Sequence, residues 1–335
     1  MKKIAINGFG RIGRNAFKIA FERNDIEVVV INDLTDTKTL AHLLKHDSSY
    51  GEYHLSVSYD EDGIIVNNKH IKVISEKDPT LLPWGELGID VVIEATGLFT
   101  KHALLMQHIQ AGAKKVVLSA PEKDDEYHDT IVIGANDQTL APDHQIISNA
   151  SCTTNCIAPV MGILESHFGV EKAMMTTIHS YTASQKLLDA PAKDLREARA
   201  ASENIVPTTT GASIAAGLVV PALRGIFGGL SIRVPSPVVS LSDITVITKR
   251  NVTKEEVNEI FKKSSQEPYY QGILAVTDKE LVSSDFRGNS HSCIVDLPLT
   301  SVIAGNMLKV VAWYDNEWGY SNRLVELVAD AAKNT

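Results

Sequence analysis

Lys3-Ile4-Ala5-Ile6-Asn7-Gly8-Phe9-Gly10-Arg11-Ile12-Gly13 opens the chain, and its reading decides the fold of the first half. Lys3 to Asn7 reads as a short buried strand. Helical periodicity follows through Phe17, Ile19, Ala20 and Phe21. Val28 to Ile31 is a second β-branched strand, and it ends at Asn32-Asp33, with Asp33 twenty residues after Gly13. The order is strand, glycine turn, helix, strand, acid. Gly8 and Gly10 permit a tight turn and close backbone approach to a pyrophosphate. The helix N-terminus receives its charge, and the acid, Asp33, can hold ribose hydroxyls. The expected cofactor is a dinucleotide, and the acid favours NAD because it repels the 2′-phosphate of NADP.

Further strands continue this pattern. Asp90 to Glu94 ends in Ala95-Thr96-Gly97, and Lys115 to Leu118 ends at Ser119. Thr96, Gly97 and Ser119 therefore lie where a doubly wound sheet binds its ligand. Tyr53 to Val73 alternates apolar and polar residues around Asp62-Gly63 and Asn67-Asn68, the pattern of antiparallel hairpins. Ile131 to Gly134 and Gln145 to Ile147 read as short strands.

The second half has another texture. Ala173–Ile178, Ser231–Val234, Val238–Thr248, Ile273–Val276, Ser292–Val295 and Met307–Tyr314 read as strands that are not followed one by one by helices. The expected fold class is α/β: a Rossmann-type doubly wound sheet, then an α+β domain with a largely antiparallel sheet. Helices are expected over Cys152–Phe168, Ala212–Val219, Lys254–Ser265 and Gly319–Ala332. The segment from His179 to Pro207 lacks apolar periodicity, and unstructured stretches of that length are usually functional.

The chain has 335 residues, 44% hydrophobic and 22% charged, enough for two ordinary domains. Its net charge of −9 argues against a broad nucleic-acid footprint but not against a local site for a phosphorylated metabolite. Only three cysteines occur, Cys152, Cys156 and Cys293, which suits a reducing compartment. Cys152 and Cys156 are spaced for neither a relaxed disulfide nor a metal knuckle, and no metal is expected. No signal peptide or bilayer-spanning run is visible, so the expected address is the cytoplasm.

In Ser148-Asn149-Ala150-Ser151-Cys152-Thr153-Thr154-Asn155-Cys156, a polar run meets an apolar helical segment, with Asn149 or Ser151 as N-cap. Cys152 then sits in a first helical turn, where free N–H groups and the macrodipole favour a thiolate and lower its pKa. His179 follows 27 residues later at the end of an apolar run. Three anion-friendly clusters accompany the pair: Ser151 and Thr153, Thr208 to Gly211 at a helix start, and Arg233 at a strand end. Together these residues point to one reaction. The Cys152 thiolate attacks a phosphorylated aldehyde, His179 acts as ion-pair partner and base, and hydride leaves to NAD. The resulting thioester is then opened by inorganic phosphate.

The residues from Asn7 to Arg14, Ser148 to Cys156, His179 to Thr182, Pro207 to Ala212, Arg233 to Pro235 and Trp313 to Tyr320 resemble phosphorylating glyceraldehyde-3-phosphate dehydrogenase from end to end. The resemblance implies glyceraldehyde 3-phosphate and inorganic phosphate as substrates and a homotetramer. It implies an NAD-binding domain over 1–151 joined by the C-terminal helix 317–335, with a catalytic domain over 152–316. It implies Cys152 as nucleophile and His179 as activator. Arg11, Ile12, Asp33, Lys77, Ser119 and Asn316 would contact NAD. Ser151, Thr153, Thr182, Thr210, Gly211 and Arg233 would hold the two phosphates. The segment after His179 looks like the family's S-shaped loop.

Some positions depart from the family pattern. Glu197 stands where many bacterial relatives carry a phosphate-binding arginine, Ile214 where lysine is usual, and Val238 where asparagine is usual. Ala190 replaces a leucine common in strictly NAD-using relatives. Two other readings share the main features: erythrose-4-phosphate dehydrogenase, and a non-catalytic NAD-binding redox sensor.

Overall fold

A computed structural model describes residues 1–124 and 129–335. The chain divides into two compact units. The first is Met1–Ile131, Gln138–Ala150 and Ser321–Thr335; the second is Val132–Asp137 and Ser151–Tyr320.

The first unit is built on one sheet. Its order is Ile146–Ser148, Lys115–Leu118, Val91–Glu94, Lys2–Asn7, Ile26–Asn32, Lys69–Ile74, Gly63–Val66 and Val57–Tyr59. The first six strands run parallel, and the last two add an antiparallel edge. Ile4, Ala5, Ile6, Val91, Val92 and Ile93 are all fully buried. That is what central parallel strands covered on both faces require. The helix Arg11–Phe21 starts directly after the glycine turn. Gly8 sits at φ +92°, and a Cβ there would come within 2.7 Å of the Thr96 backbone. A Cβ on Gly13 would lie 2.1 Å from the Gly8 carbonyl oxygen. Both glycines are thus demanded by packing as well as by the turn.

The second unit carries a mixed, largely antiparallel sheet. Its order is Val206–Thr208, Phe227–Val234, Val170–Ser180, Ser240–Thr248, Met307–Tyr314, Cys293–Asp296 and Leu274–Thr277, with Ser301–Ile303 paired to Met307–Tyr314. Two neighbour pairs are parallel, Val170–Ser180 with Phe227–Val234 and Leu274–Thr277 with Cys293–Asp296. The helices Cys152–Phe168, Ala212–Val219 and Lys254–Ser264 bury their apolar sides against the sheet through Ile157, Met161, Ala216 and Phe261. The opposite sheet face exposes Met174, Leu230 and Met307. Among the described residues no helix is long and apolar enough to cross a membrane.

Two expected strands differ. Ile131 to Gly134 is not a strand: only Thr130 bridges to Ser148. The backbone N–H groups of Val132 and Gly134 donate instead to the side chains of Asn136 (2.8 Å) and Asp137 (2.9 Å), which turn the chain. The strand expected from Val238 begins at Ser240, because Val239 adopts φ +73°. That is an outlier for a β-branched residue.

Gly13→Ala should destabilise the first unit by about 1–3 kcal/mol, since the added methyl must push a backbone oxygen out of its turn. The measurement is the chemical-denaturation midpoint. A variant as stable as wild type would show that the turn is slack.

Candidate active site

In the second unit, Ser151 caps the helix Cys152–Phe168: its Oγ accepts from Thr154 N at 3.0 Å. The residue before the cap, Ala150, has φ +53°, so the chain enters the helix through a left-handed kink. Cys152 is the first helical residue. Its Sγ lies 3.4 Å from His179 Nε2. Thr153 Oγ1 pairs with Tyr314 OH at 2.9 Å, and Tyr314 OH pairs with Thr177 Oγ1 at 2.8 Å. The helix start is thereby tied to two strands of the sheet. The His179 ring packs edge-on to Tyr314, with centroids 6.1 Å apart.

The register brings in the arginine. His179 and Arg233 are direct partners on adjacent parallel strands. Arg233 Nη1 is in hydrogen-bond contact with His179 Nδ1 and lies 3.3 Å from the Ser180 carbonyl oxygen. That carbonyl is also 2.7 Å from Nδ1. Asn316 Oδ1 accepts from the Ser180 and Ser240 hydroxyls at 3.0 and 3.1 Å. Its oxygen is therefore engaged, and its Nδ2 is the donor it can offer a ligand. Ser240 follows the strained Val239, so strain adjoins the site.

Burial works against one expectation. Burial pushes the Cys152 thiol above its ordinary value, and Arg233 and the hydrogen bonds of Thr153 pull it back only in part. Burial and the Arg233 charge hold His179 down at about 3. Burial thus opposes the thiolate that the helix start favours. Burial also raises Tyr314, which stays neutral.

The other expected phosphate residues lie in the same unit. Thr182 N and Oγ1 contact Gln185 Oε1 (3.3 Å) and Ser184 Oγ (3.0 Å). Gly211 precedes the helix Ala212–Val219 with no side-chain cap, and Thr210 Oγ1 accepts from Ala212 N at 3.2 Å. Thr208 donates to Glu197 at 3.2 Å, so the departing acid sits beside this cluster. Ile214 is exposed and Val238 buried.

In the first unit, a cavity of about 580 Å³ is walled by Gly8, Gly10, Asp33, Lys77 and Thr96, with apolar contributions from Leu34 and Phe99. Arg11, Ile12, Gly97 and Ser119 are not among its walls. The Arg11 guanidinium is turned to Asp47 at 2.6 Å, which leaves backbone as its means of contacting a pyrophosphate. Asp33 is oriented by two backbone donors, Phe9 N at 2.8 Å and Thr35 N at 2.9 Å. No side chain caps the helix Arg11–Phe21, and a Cβ on Gly10 would meet nothing within 4 Å. An uncapped helix start, open space above a glycine and a fixed carboxylate fit a dinucleotide.

Sequence reasoning missed what holds this wall. Glu94 is fully buried and accepts from Asn7 Nδ2 (2.5 Å), Thr96 N (2.8 Å), Thr96 Oγ1 and His108 Nε2 (3.1 Å). Trp84 Nε1 donates to His108 Nδ1 at 3.0 Å, which fixes the proton on Nε2. The available signal was an acid closing an apolar strand. Tyr314 was also missed as the link between Thr153 and Thr177.

Residues 2–102 match the family described as glyceraldehyde 3-phosphate dehydrogenase, NAD binding domain, and residues 151–316 match the C-terminal domain of the same enzyme. The chain belongs to the glyceraldehyde 3-phosphate dehydrogenase family. The protein named glyceraldehyde-3-phosphate dehydrogenase in Streptomyces coelicolor is 54% identical over 97% of both chains. The one in Borreliella burgdorferi is 52% identical over 99% of this chain and all of its own. The one in Geobacillus stearothermophilus is 52% identical over 98% of this chain and 97% of its own.

Cys156 and Cys293 are fully buried, whereas Cys152 is partly open. Native protein should therefore take up one equivalent of iodoacetamide per chain, and none in Cys152→Ser. Labelling of a second cysteine without denaturation would contradict the burial.

Proposed function

We propose that this chain catalyses the NAD-dependent oxidative phosphorylation of glyceraldehyde 3-phosphate to 1,3-bisphosphoglycerate. The observation that carries the reading is the Cys152 Sγ–His179 Nε2 contact of 3.4 Å at a helix start, with Arg233 beside it. In this reading the first unit holds the cofactor and the second does the covalent chemistry.

Cys152 attacks the aldehyde carbon, and the oxyanion is stabilised by the Cys152 N–H and by His179. NAD, when bound, supplies the hydride acceptor. The oxyanion takes a proton from His179 to give the thiohemiacetal, and His179 takes that proton back as hydride leaves and the thioester forms. Inorganic phosphate then attacks the thioester carbonyl, and the Cys152 sulfur leaves as thiolate. Arg233, Thr182, Ser151, Thr153, Thr210 and Gly211 are assigned to the two phosphates. Gly8, Gly10, Arg11, Ile12, Asp33, Lys77, Thr96, Gly97, Ser119 and Asn316 are assigned to NAD.

We further propose a homotetramer working in the cytoplasm. Exposed Met174, Leu230 and Met307 on one sheet face, and Leu187, Leu188 and Leu195 after His179, favour burial against other copies. Light scattering should give about four times the 36.5 kDa chain mass.

The deciding assay is NADH formation from glyceraldehyde 3-phosphate. Turnover should require phosphate and vanish in Cys152→Ser. His179→Asn should lose about 10²–10⁴-fold, the usual share of a positioned acid–base. Faster turnover of erythrose 4-phosphate would move the assignment to the sister enzyme. No NADH from either aldehyde would leave only a binding or redox role.

Cofactor choice is a separate test. Asp33, held by Phe9 N and Thr35 N, cannot easily swing away from an extra phosphate. Like charges about 4 Å apart cost about 1 kcal/mol in water and several times that near a protein surface. Each 1.4 kcal/mol is about tenfold in affinity. Wild type should therefore prefer NAD by roughly tenfold or more. Asp33→Gly should narrow the kcat/KM ratio mainly by improving NADP use. An unchanged ratio would sink the electrostatic argument.

A further inference from the structure

Behind the cavity of the first unit, buried polar side chains form one directed chain of hydrogen bonds. Its donor end is Trp84, fully buried, whose indole N–H can only donate. It donates to His108 Nδ1 at 3.0 Å, so a neutral imidazole carries its proton on Nε2, 3.1 Å from Glu94 Oε2. From Glu94 the chain branches. On one side Asn7 Nδ2 donates to Oε2 at 2.5 Å, and Asn7 Oδ1 accepts from Asn32 Nδ2 at 2.7 Å. Asn32 in turn holds both backbone groups of Glu76, its Nδ2 donating to the carbonyl and its Oδ1 accepting from the N–H, each at 2.9 Å. On the other side Glu94 Oε1 accepts from Thr96 N at 2.8 Å and from Thr96 Oγ1, which itself accepts from Leu98 N at 3.1 Å. Phe99 packs edge-on to the His108 ring, with centroids 6.2 Å apart.

Asn7, Asn32, Glu76, Thr96, Leu98 and Phe99 line the cavity of about 580 Å³, whereas Trp84, His108 and Glu94 are not among its walls. We propose that Trp84 is a positioning residue for cofactor binding. Its N–H decides which nitrogen of His108 carries the proton. That proton holds Glu94 as the acceptor on which two walls of the cavity hang. The proposal rests on the preceding assignment of this cavity to NAD.

Three observations support it. Both ends of the relay demand the same tautomer: Trp84 needs a lone pair on Nδ1, and Glu94 needs a proton on Nε2. Neither amide can turn over alone. Reversing Asn7 would set its oxygen against Glu94 and its NH₂ against that of Asn32, and reversing Asn32 would set its NH₂ against Glu76 N. The walls are tied to the chain by backbone N–H groups of Glu76, Thr96 and Leu98, so the relay fixes main chain as well as side chains.

The test is the Kd of NAD, measured by calorimetry in a cycle of two substitutions, with each fold checked by circular dichroism. In Glu94→Gln, the Thr96 N–H keeps the amide oxygen on its own side, so the new NH₂ faces Asn7 Nδ2 and the His108 Nε2 proton. The Kd should rise about tenfold, the usual cost of one buried unsatisfied group. Trp84→Phe keeps an aromatic ring and removes the indole N–H. Alone, it should weaken NAD binding about threefold. In the Glu94→Gln background it should do the opposite and recover about threefold, because His108 can then move its proton to Nδ1 and accept from the new amide. Lost packing weakens binding in both backgrounds, so effects of the same sign overturn the proposal. So does a Trp84→Phe chain that binds NAD as tightly as wild type, which carries the test should Glu94→Gln not fold. Nitrogen NMR of wild type labelled at histidine needs no variant: the His108 proton should be on Nε2, and a proton on Nδ1 overturns the proposal. A wild type that binds no NAD removes the cofactor reading along with it, whereas binding with effects of the same sign removes this inference alone.

Discussion

The contact between Cys152 Sγ and His179 Nε2 exists only while the imidazole is held in place, and the second unit is arranged around that ring. Pairing of Val170–Ser180 with Phe227–Val234 puts Arg233 against His179 Nδ1, and Ser180, the residue after His179, turns its carbonyl to the same nitrogen. Three further contacts fix the ring's surroundings. Ser151 caps the helix that carries the thiol. Tyr314 ties that helix to the sheet through Thr153 and Thr177. Asn316 braces Ser180 and Ser240. With so many polar groups engaged, the imidazole has little freedom other than its own protonation.

The cavity of the first unit is built on a related economy of donors. Glu94 is buried among four donors, one of which, the His108 Nε2 proton, is fixed there by Trp84. A buried carboxylate short of partners is costly, and one fully supplied is rigidifying. Because two of the donors come from Thr96 and one from Asn7, this buried group sets the cavity wall. Asp33 is likewise aimed by backbone N–H groups before any ligand arrives.

Much of this was legible in the sequence because it is local. The glycine turn, the strand that ends at Asp33, the helix starting at Cys152 and the hairpins around Asp62-Gly63 each follow from neighbours in the chain. What failed was of two kinds. Some failures were local polar competition: Asn136 and Asp137 capture the backbone that an Ile131–Gly134 strand needed. Others were long-range. The contact between His179 and Arg233 is a matter of strand register, and nothing in either stretch announces it. The same holds for Tyr314, quoted within a motif but with no role until the sheet placed it between two threonines. The opposing effect of burial on the Cys152 thiol was out of reach for the same reason, since desolvation is a property of the whole packed unit.

Around the Cys152–His179 pair the charges pull in opposite directions. Burial disfavours the Cys152 thiolate, while the Arg233 charge and the Thr153 hydrogen bonds favour it. The same guanidinium, together with burial, disfavours a protonated His179. An anion paired with Arg233 would therefore act on the two partners in opposite senses: it would ease protonation of the ring and withdraw support from the thiolate. One side chain thus couples what is bound beside the pair to how the pair ionises, and the strand register that sets Arg233 against His179 is what makes the coupling direct.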